Sequence, residues 1–147
     1  MVNIESEIQQ QQFLTPHHKV GMNIIFTANW LLNKIAISLK PIGISLQQLN
    51  VLSILDGQLD KTATVNLVRE RLIDRMPNVS RLLNKLMEKG LIIKERNLSD
   101  QRVVYVKLTP QGEKVKIKGR MIFDQIRFEI DNEQAELLNN LLEKIRE

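Results

Sequence analysis

Cysteine is absent from the 147 residues. Disulfides, thiolate metal sites, Cys nucleophiles and thiol-based redox sensing are excluded with it. No uninterrupted apolar run reaches the ~18 residues needed to cross a bilayer. The opening stretch MVNIESEIQQQQF has neither the basic start nor the apolar middle of a signal peptide. No membrane partner is expected, and a cytosolic compartment fits. A Gly-rich phosphate loop, a Ser/His/Asp order and metal-ligand spacing are also missing. His17 and His18 are adjacent at a helix start and point in different directions, so they do not chelate as a pair. Asp131 and Glu133 read as acidic residues favoured by a helix N-terminus. Trp30 and the methionines read as core or interface residues. The expectation is a chain with no enzyme activity, no cofactor and no metal site.

What is present suits a soluble globular chain, with 43% apolar and 26% charged residues. The length allows one compact domain or two small lobes sharing a core. Net charge is +4, but its distribution is uneven. Residues 1–68 hold four Lys and four Asp/Glu, and residues 108–147 hold seven Lys/Arg and eight Asp/Glu. Residues 69–107 hold ten Lys/Arg and five Asp/Glu, so the basic excess lies in that middle stretch. A localised positive field suits a polyanionic partner.

Periodicity orders the chain. Residues 1–14 are a polar, Gln-rich segment, unstructured or a loose helical turn. Thr15 as cap and Pro16 at the first helical position open a long helix to Lys40, stopped by Pro41 and Gly43. Ile24, Ala28, Leu31, Ile35 and Leu39 stripe it, while Phe26, Trp30 and Ile37 lie off that stripe. Such a helix needs more than one packing partner. Ser45 and Gln48 fit a capping box for a second helix, with Ile44 and Leu49 as its hydrophobic staple and Gly57 as its stop. After a polar connection, GQLDKTA, a third helix runs over about 65–72, with Val65, Val68 and Leu72 inward. A fourth is expected over about 75–89, with Asp74 as cap and Pro77 in its first turn. Val79, Leu82, Leu83 and Leu86 form its buried side. The period then changes to two: LIIKER and VVYVKL read as strands of a hairpin. Thr109-Pro110 restarts helix, and Val115, Gly119, Ile122 and Ile126 share one side of it. Asp131 and Gln134 cap a last helix carrying Ala135, Leu138, Leu141, Leu142 and Ile145.

Two short helices joined by a tight turn and followed at once by a hairpin make a winged helix-turn-helix. Its second helix can enter the major groove of double-stranded DNA. Arg75, Asn78 and Ser80 lie at its start, where base edges are closest; Arg can pair with guanine and Asn with adenine. Arg81 and Lys85 lie further along and suit phosphate. At the hairpin tip Asp100 can aim Arg102, and a fixed guanidinium suits the minor groove. A single-strand RNA reader would want stacking aromatics, and Tyr105 alone supplies none.

Residues 76–115, MPNVSRLLNKLMEKGLIIKERNLSDQRVVYVKLTPQGEKV, resemble the signature of the MarR (multiple antibiotic resistance regulator) family. The likeness rests on Val79-Ser80-Arg81-Leu82-Leu83, Lys89-Gly90-Leu91, Asp100-Gln101-Arg102 and Leu108-Thr109-Pro110-Gln111-Gly112. The upstream HKVGMNIIFTANWL and ISLQQLNVLSIL extend it over about residues 13–147. Two features depart from the common pattern. Gln101 stands where many members have a second Arg, and DRMPN replaces small hydroxyl residues before the recognition helix. The resemblance implies a homodimeric transcription factor, usually a repressor, on pseudo-palindromic operators. It implies that the first helix and the last two build the dimer.

The expected fold is therefore mostly α with a small β-hairpin wing, in an intertwined homodimer. Residues 15–44 and 110–147 would form the helical dimerisation region, and 45–109 the DNA-binding lobe with its wing at 91–108. The rival reading is a winged-helix interaction or dimerisation module without DNA readout. Neither an operator nor a small-molecule effector is named by the sequence.

Overall fold

The computed structural model describes residues 2–10, 12–75 and 78–147. In chain order these form α1 (Ile4–Glu7), α2 (Pro16–Leu39), α3 (Leu46–Asp56), β1 (Thr62–Thr64), α4 (Val65–Arg71), α5 (Val79–Glu88), β2 (Ile92–Arg96), β3 (Val104–Leu108), α6 (Pro110–Asp124) and α7 (Asn132–Ile145).

Helix starts follow side-chain chemistry. Thr15 Oγ1 accepts from the His18 amide at 3.1 Å, with Pro16 in the first turn. Ser45 and Gln48 close a reciprocal capping box on α3, and Asp131 and Gln134 do so on α7. Thr109 Oγ1 accepts from the Gly112 amide at 3.0 Å and caps α6. Each such cap is worth ~1 kcal/mol, enough to fix where a helix begins.

Two local expectations change, and of the two readings of the N-terminal segment the helical turn is the one found. The polar connection after α3 contains a strand, β1, paired antiparallel to β3 with Ala63 opposite Val106. The sheet is thus three-stranded, in the order β1-β3-β2. The N-terminal segment forms a short helix with Ile4 buried, tied to α2 by Glu5–Lys19 at 2.6 Å. The recognition helix starts at Val79 rather than near 75, because Asn78 is its cap. Asp74, expected as the cap, instead accepts from Gln47 Nε2 of α3 at 3.1 Å. The expected place of Pro77 in a first turn lies outside the described residues.

One apolar core joins these elements. Leu39 of α2, Leu52 and Leu55 of α3, Val68 of α4, Leu86 of α5 and Val106 of β3 are wholly buried in it. Only the C-terminal half of α2 takes part, through Ile35 and Leu39. Ile25, Trp30, Leu32 and Ile37 remain exposed along the same helix. Although interrupted by polar residues, the helical stretch Pro16–Ile42 averages a hydropathy of 1.2 in its most apolar window, long and apolar enough by length and composition to cross a membrane.

The end of α3 is held to α6 by ion pairs. Asp56 meets Lys116 at 2.8 Å and Lys61 at 3.5 Å, and Lys61 meets Glu113 at 2.5 Å. The Lys116 hydrogen bond holds the Asp56 carboxyl below its ordinary value, against a smaller opposing effect of burial. A depressed carboxyl stabilises the fold fully above the ordinary aspartate value and loses that contribution as pH falls through the lowered one. Asp56→Asn should lower stability by about 1 kcal/mol at neutral pH. In urea titrations across pH, its gap from the parent should close on acidification.

Candidate nucleic-acid interface

Helix α5 is sharply two-sided. Val79, Leu82, Leu83 and Leu86 are buried, while Ser80, Arg81, Asn84, Lys85 and Glu88 are exposed. At 3.6 residues per turn the exposed residues form two rows, Ser80-Asn84-Glu88 and Arg81-Lys85. β2 and α3 pack against α5, and its outward side is exposed.

The seven residues singled out in the sequence separate into distinct places. Arg75 is exposed but precedes α5, so it is not part of the recognition helix. Asn78 Oδ1 accepts from the Arg81 amide at 3.1 Å as the helix cap. Pairing with adenine uses both the oxygen and the nitrogen of an Asn side chain, so the cap conflicts with the expected contact. Asn84 is exposed in the outward row, and no hydrogen bond holds its side chain among the described residues. Its signal in the sequence is its place four residues after Ser80.

The wing tip is ordered by its own polar groups. The Asn97 amide donates to the Val103 carbonyl at 3.2 Å, and the Val103 amide to the Asp100 carbonyl at 3.0 Å. Asp100 Oδ1 accepts from the Arg102 amide at 3.0 Å and from Arg102 Nε at 3.4 Å. Arg102 is nonetheless 95% exposed, so its two terminal nitrogens are presented outward. Between wing and helix lies a groove that brings Ser80 and Arg102 together with Asn66 and Lys94. Arg81 and Lys85 occupy the neighbouring flank of α5 and do not line it.

Among the described residues, cations with and without a carboxylate partner both occur over the surface, Lys34, Lys118 and Arg146 being examples without one away from this edge. Lys19, Lys61, Lys107, Lys116 and Arg120 each meet a carboxylate. Among the described residues Arg75, Arg81, Lys85, Lys94 and Arg96 meet none. Uncompensated cations collected around one helix and its wing leave a field suited to a polyanion.

The other sequence motifs serve the frame. Lys89 Nζ donates to the Gly43 carbonyl and to Gln48 Oε1, tying the end of α5 to the start of α3. Gly90 has φ +70°, which lets the chain turn from α5 into β2. Thr109 Oγ1 donates to the Gly90 carbonyl at 2.7 Å, and the Thr109 amide to the Leu91 carbonyl at 3.1 Å. Lys-Gly-Leu and Leu-Thr-Pro-Gln-Gly are therefore two halves of one knot that fixes the wing's base against α6. No group of three or more His, Cys, Asp or Glu residues placed to hold a metal occurs among the described residues.

A two-sided helix delivered by a helix-turn-helix, with a charged hairpin beside it, defines a winged-helix DNA-binding protein. The family model described as Transcriptional regulator SarA/Rot matches residues 33–119, more than half the chain. The HTH-type transcriptional regulator FarR of Neisseria gonorrhoeae is 28% identical over 135 residues, covering 88% of this chain and 90% of FarR. A MarR-like regulator from Bacillus cereus superposes with a TM-score of 0.78 at 21% identity, covering 88% of this chain and 95% of that one. A cysteine-to-serine mutant of MarR from E. coli, complexed with operator DNA, gives 0.73 at 21% identity, covering 98% and 99%. The chain belongs to the SarA/Rot family of transcriptional regulators, and its fold is that of the MarR structures it superposes on. It is a DNA-binding regulator, and the family is non-enzymatic.

Proposed function

We propose that this regulator works as a homodimeric repressor on a pseudo-palindromic operator. α5 enters the major groove, and the wing reaches the minor groove. The observation that carries this reading is the convergence of Ser80 and Arg102 on one groove, amid cations without carboxylate partners. Ser80, Asn84 and Arg75 approach base edges, Arg81 and Lys85 take phosphates, and Asp100 aims Arg102. The MarR relative solved with operator DNA supports this mode. Two copies related by twofold symmetry place half-sites about one helical turn, roughly 34 Å, apart. The site of action is the cytoplasm, where such a family works on the chromosome.

The dimer rests on surface that one chain leaves open. No residue of α7 is buried, and Leu137, Leu138, Leu141 and Ile145 are about half exposed or more. Leu138, Leu141 and Ile145 line an apolar groove with Val20 and Ile24 of α2. A second copy covering α2 and α7 would bury roughly 2,000 Å² or more, the size of a permanent interface. Residues 15–44 and 110–147 thus serve dimerisation, and 45–109 DNA. The organohalide-sensing regulator RdhR, of similar fold, was solved with 2,4-dichlorophenol bound. In this chain any such ligand would act by favouring one spacing of the two DNA-binding lobes over another.

Arg102→Ala should weaken binding to a duplex selected from random sequence by about tenfold or more, from lost minor-groove contact. Thermal unfolding should not change, since the side chain lies almost wholly in solvent. A gel-shift titration at fixed salt reads this out. Unchanged affinity would remove the wing from the interface, and no binding to any duplex would return the protein-interaction reading.

A further inference from the structure

The first strand of the wing breaks the pattern of its own sheet. Directly opposed residues of paired strands share a face. Ile92 opposes Leu108, Lys94 opposes Val106, and Arg96 opposes Val104. Ile92, Leu108 and Val106 are buried, so this is the face that looks into the protein. Lys94 and Arg96 therefore leave the sheet on its core side, where continuing alternation would call for apolar residues. The opposite face carries Ile93 and Glu95, paired with Lys107 and Tyr105. Neither Lys94 nor Arg96 meets a carboxylate among the described residues. Both are nonetheless solvent-exposed: only Ile92 of β2 is buried, so past it this face of the strand is open and carries two cations without an ionic partner.

Where that face opens is informative. Beyond the end of the core it becomes one wall of the groove between wing and α5, in which Lys94 lies with Ser80 and Arg102. A major groove and its adjacent minor groove are separated by one sugar-phosphate strand. With α5 in the first and the wing in the second, that strand has to pass through the gap between them. The chemistry on the wall suits it: an ammonium is a compact charge with three rotatable donors, matched to phosphate oxygens rather than to one base edge. We propose that Lys94, followed outward by Arg96, is a backbone clamp that holds this intervening strand by its phosphates. It sets affinity and register without reading sequence. This inference rests on the DNA-binding mode proposed above and adds two contacts to it.

The test uses the full-length protein and a duplex that it selects from a random pool, followed by fluorescence anisotropy over a range of salt. Lys94→Gln and Arg96→Gln are compared with Lys107→Gln, which removes the same charge from the other face of the sheet, and with Arg102→Ala. Log K of the parent falls by about 0.9 per neutralised phosphate for each tenfold rise in salt. Lys94→Gln should make that slope shallower by about 1.8 for a dimer, one contact per protomer. Its preference for the selected duplex over a scrambled one should stay as in the parent, and Lys107→Gln should leave the slope unchanged. A parental slope in Lys94→Gln while Arg102→Ala still weakens binding would overturn the clamp and leave the DNA-binding mode standing. A relaxed sequence preference in Lys94→Gln would also overturn it, by making Lys94 a reader of bases. Parental binding in both Lys94→Gln and Arg102→Ala would overturn the clamp together with the DNA-binding mode.

Discussion

Gly112→Ala is expected to destabilise the protein by about 3 kcal/mol or more, among the larger effects of a single substitution. A Cβ at this position would stand 2.0 Å from the Leu91 carbonyl oxygen and 2.8 Å from Leu108 Cδ1. The oxygen is backbone and already accepts the Thr109 amide, so it cannot withdraw without breaking the base of the wing. The usual helical advantage of Ala over Gly, about 1 kcal/mol, is too small to offset this. Gly119→Ala supplies the comparison. There the nearest atom, at 2.7 Å, is Leu49 Cδ1, the end of a side chain that can rotate. Urea midpoints should fall far more for Gly112→Ala than for Gly119→Ala. Equal midpoints would mean that α6 does not sit against the wing's base as described.

Leu138→Glu combined with Leu141→Glu should convert the proposed dimer to monomer. Both leucines are about half exposed in the single chain, so the subunit fold should survive, with little change in helical circular dichroism. In the dimer the same positions would place four carboxylates in an apolar seam, where uncompensated charge is not tolerated. Losing one of two linked half-site contacts should weaken operator binding by about a hundredfold or more. Sedimentation velocity reads the mass and a gel shift reads the affinity. A variant that remains dimeric would move the subunit interface away from α2 and α7.

Local chemistry made much of this molecule legible before its structure. Thr15, the Ser45–Gln48 box, Thr109 and the Asp131–Gln134 box announce their helices, because each cap is settled within four residues. The wing was readable from the change of period and from the charged tip. What escaped depends on distant partners. β1 is three residues long and exists only because β3 pairs with it more than forty positions later. Asp74 and Asn78 are equally good caps on paper; Asp74 is drawn to Gln47 of α3, 27 residues away, and Asn78 is left to start α5. The recognition helix therefore begins four residues later than the pattern around Asp74 suggests. Lys94 does not stand out in the sequence because its significance lies in which face of the sheet it leaves, and that follows from the register with β3. The paired motifs around Gly90 and Gly112 were visible as a family likeness. Their physical reason, a shared knot of backbone and Thr109 hydrogen bonds, is not.

Hydrogen exchange of the protein with and without its selected duplex tests the central claim most directly, because it reports where on the chain the DNA lies. Binding should slow exchange in the first turns of α5 and in the wing between Lys94 and Val104, and leave α7 and the N-terminal half of α2 as they were. Protection confined to α2 and α7, with α5 and the wing unchanged, would contradict the account.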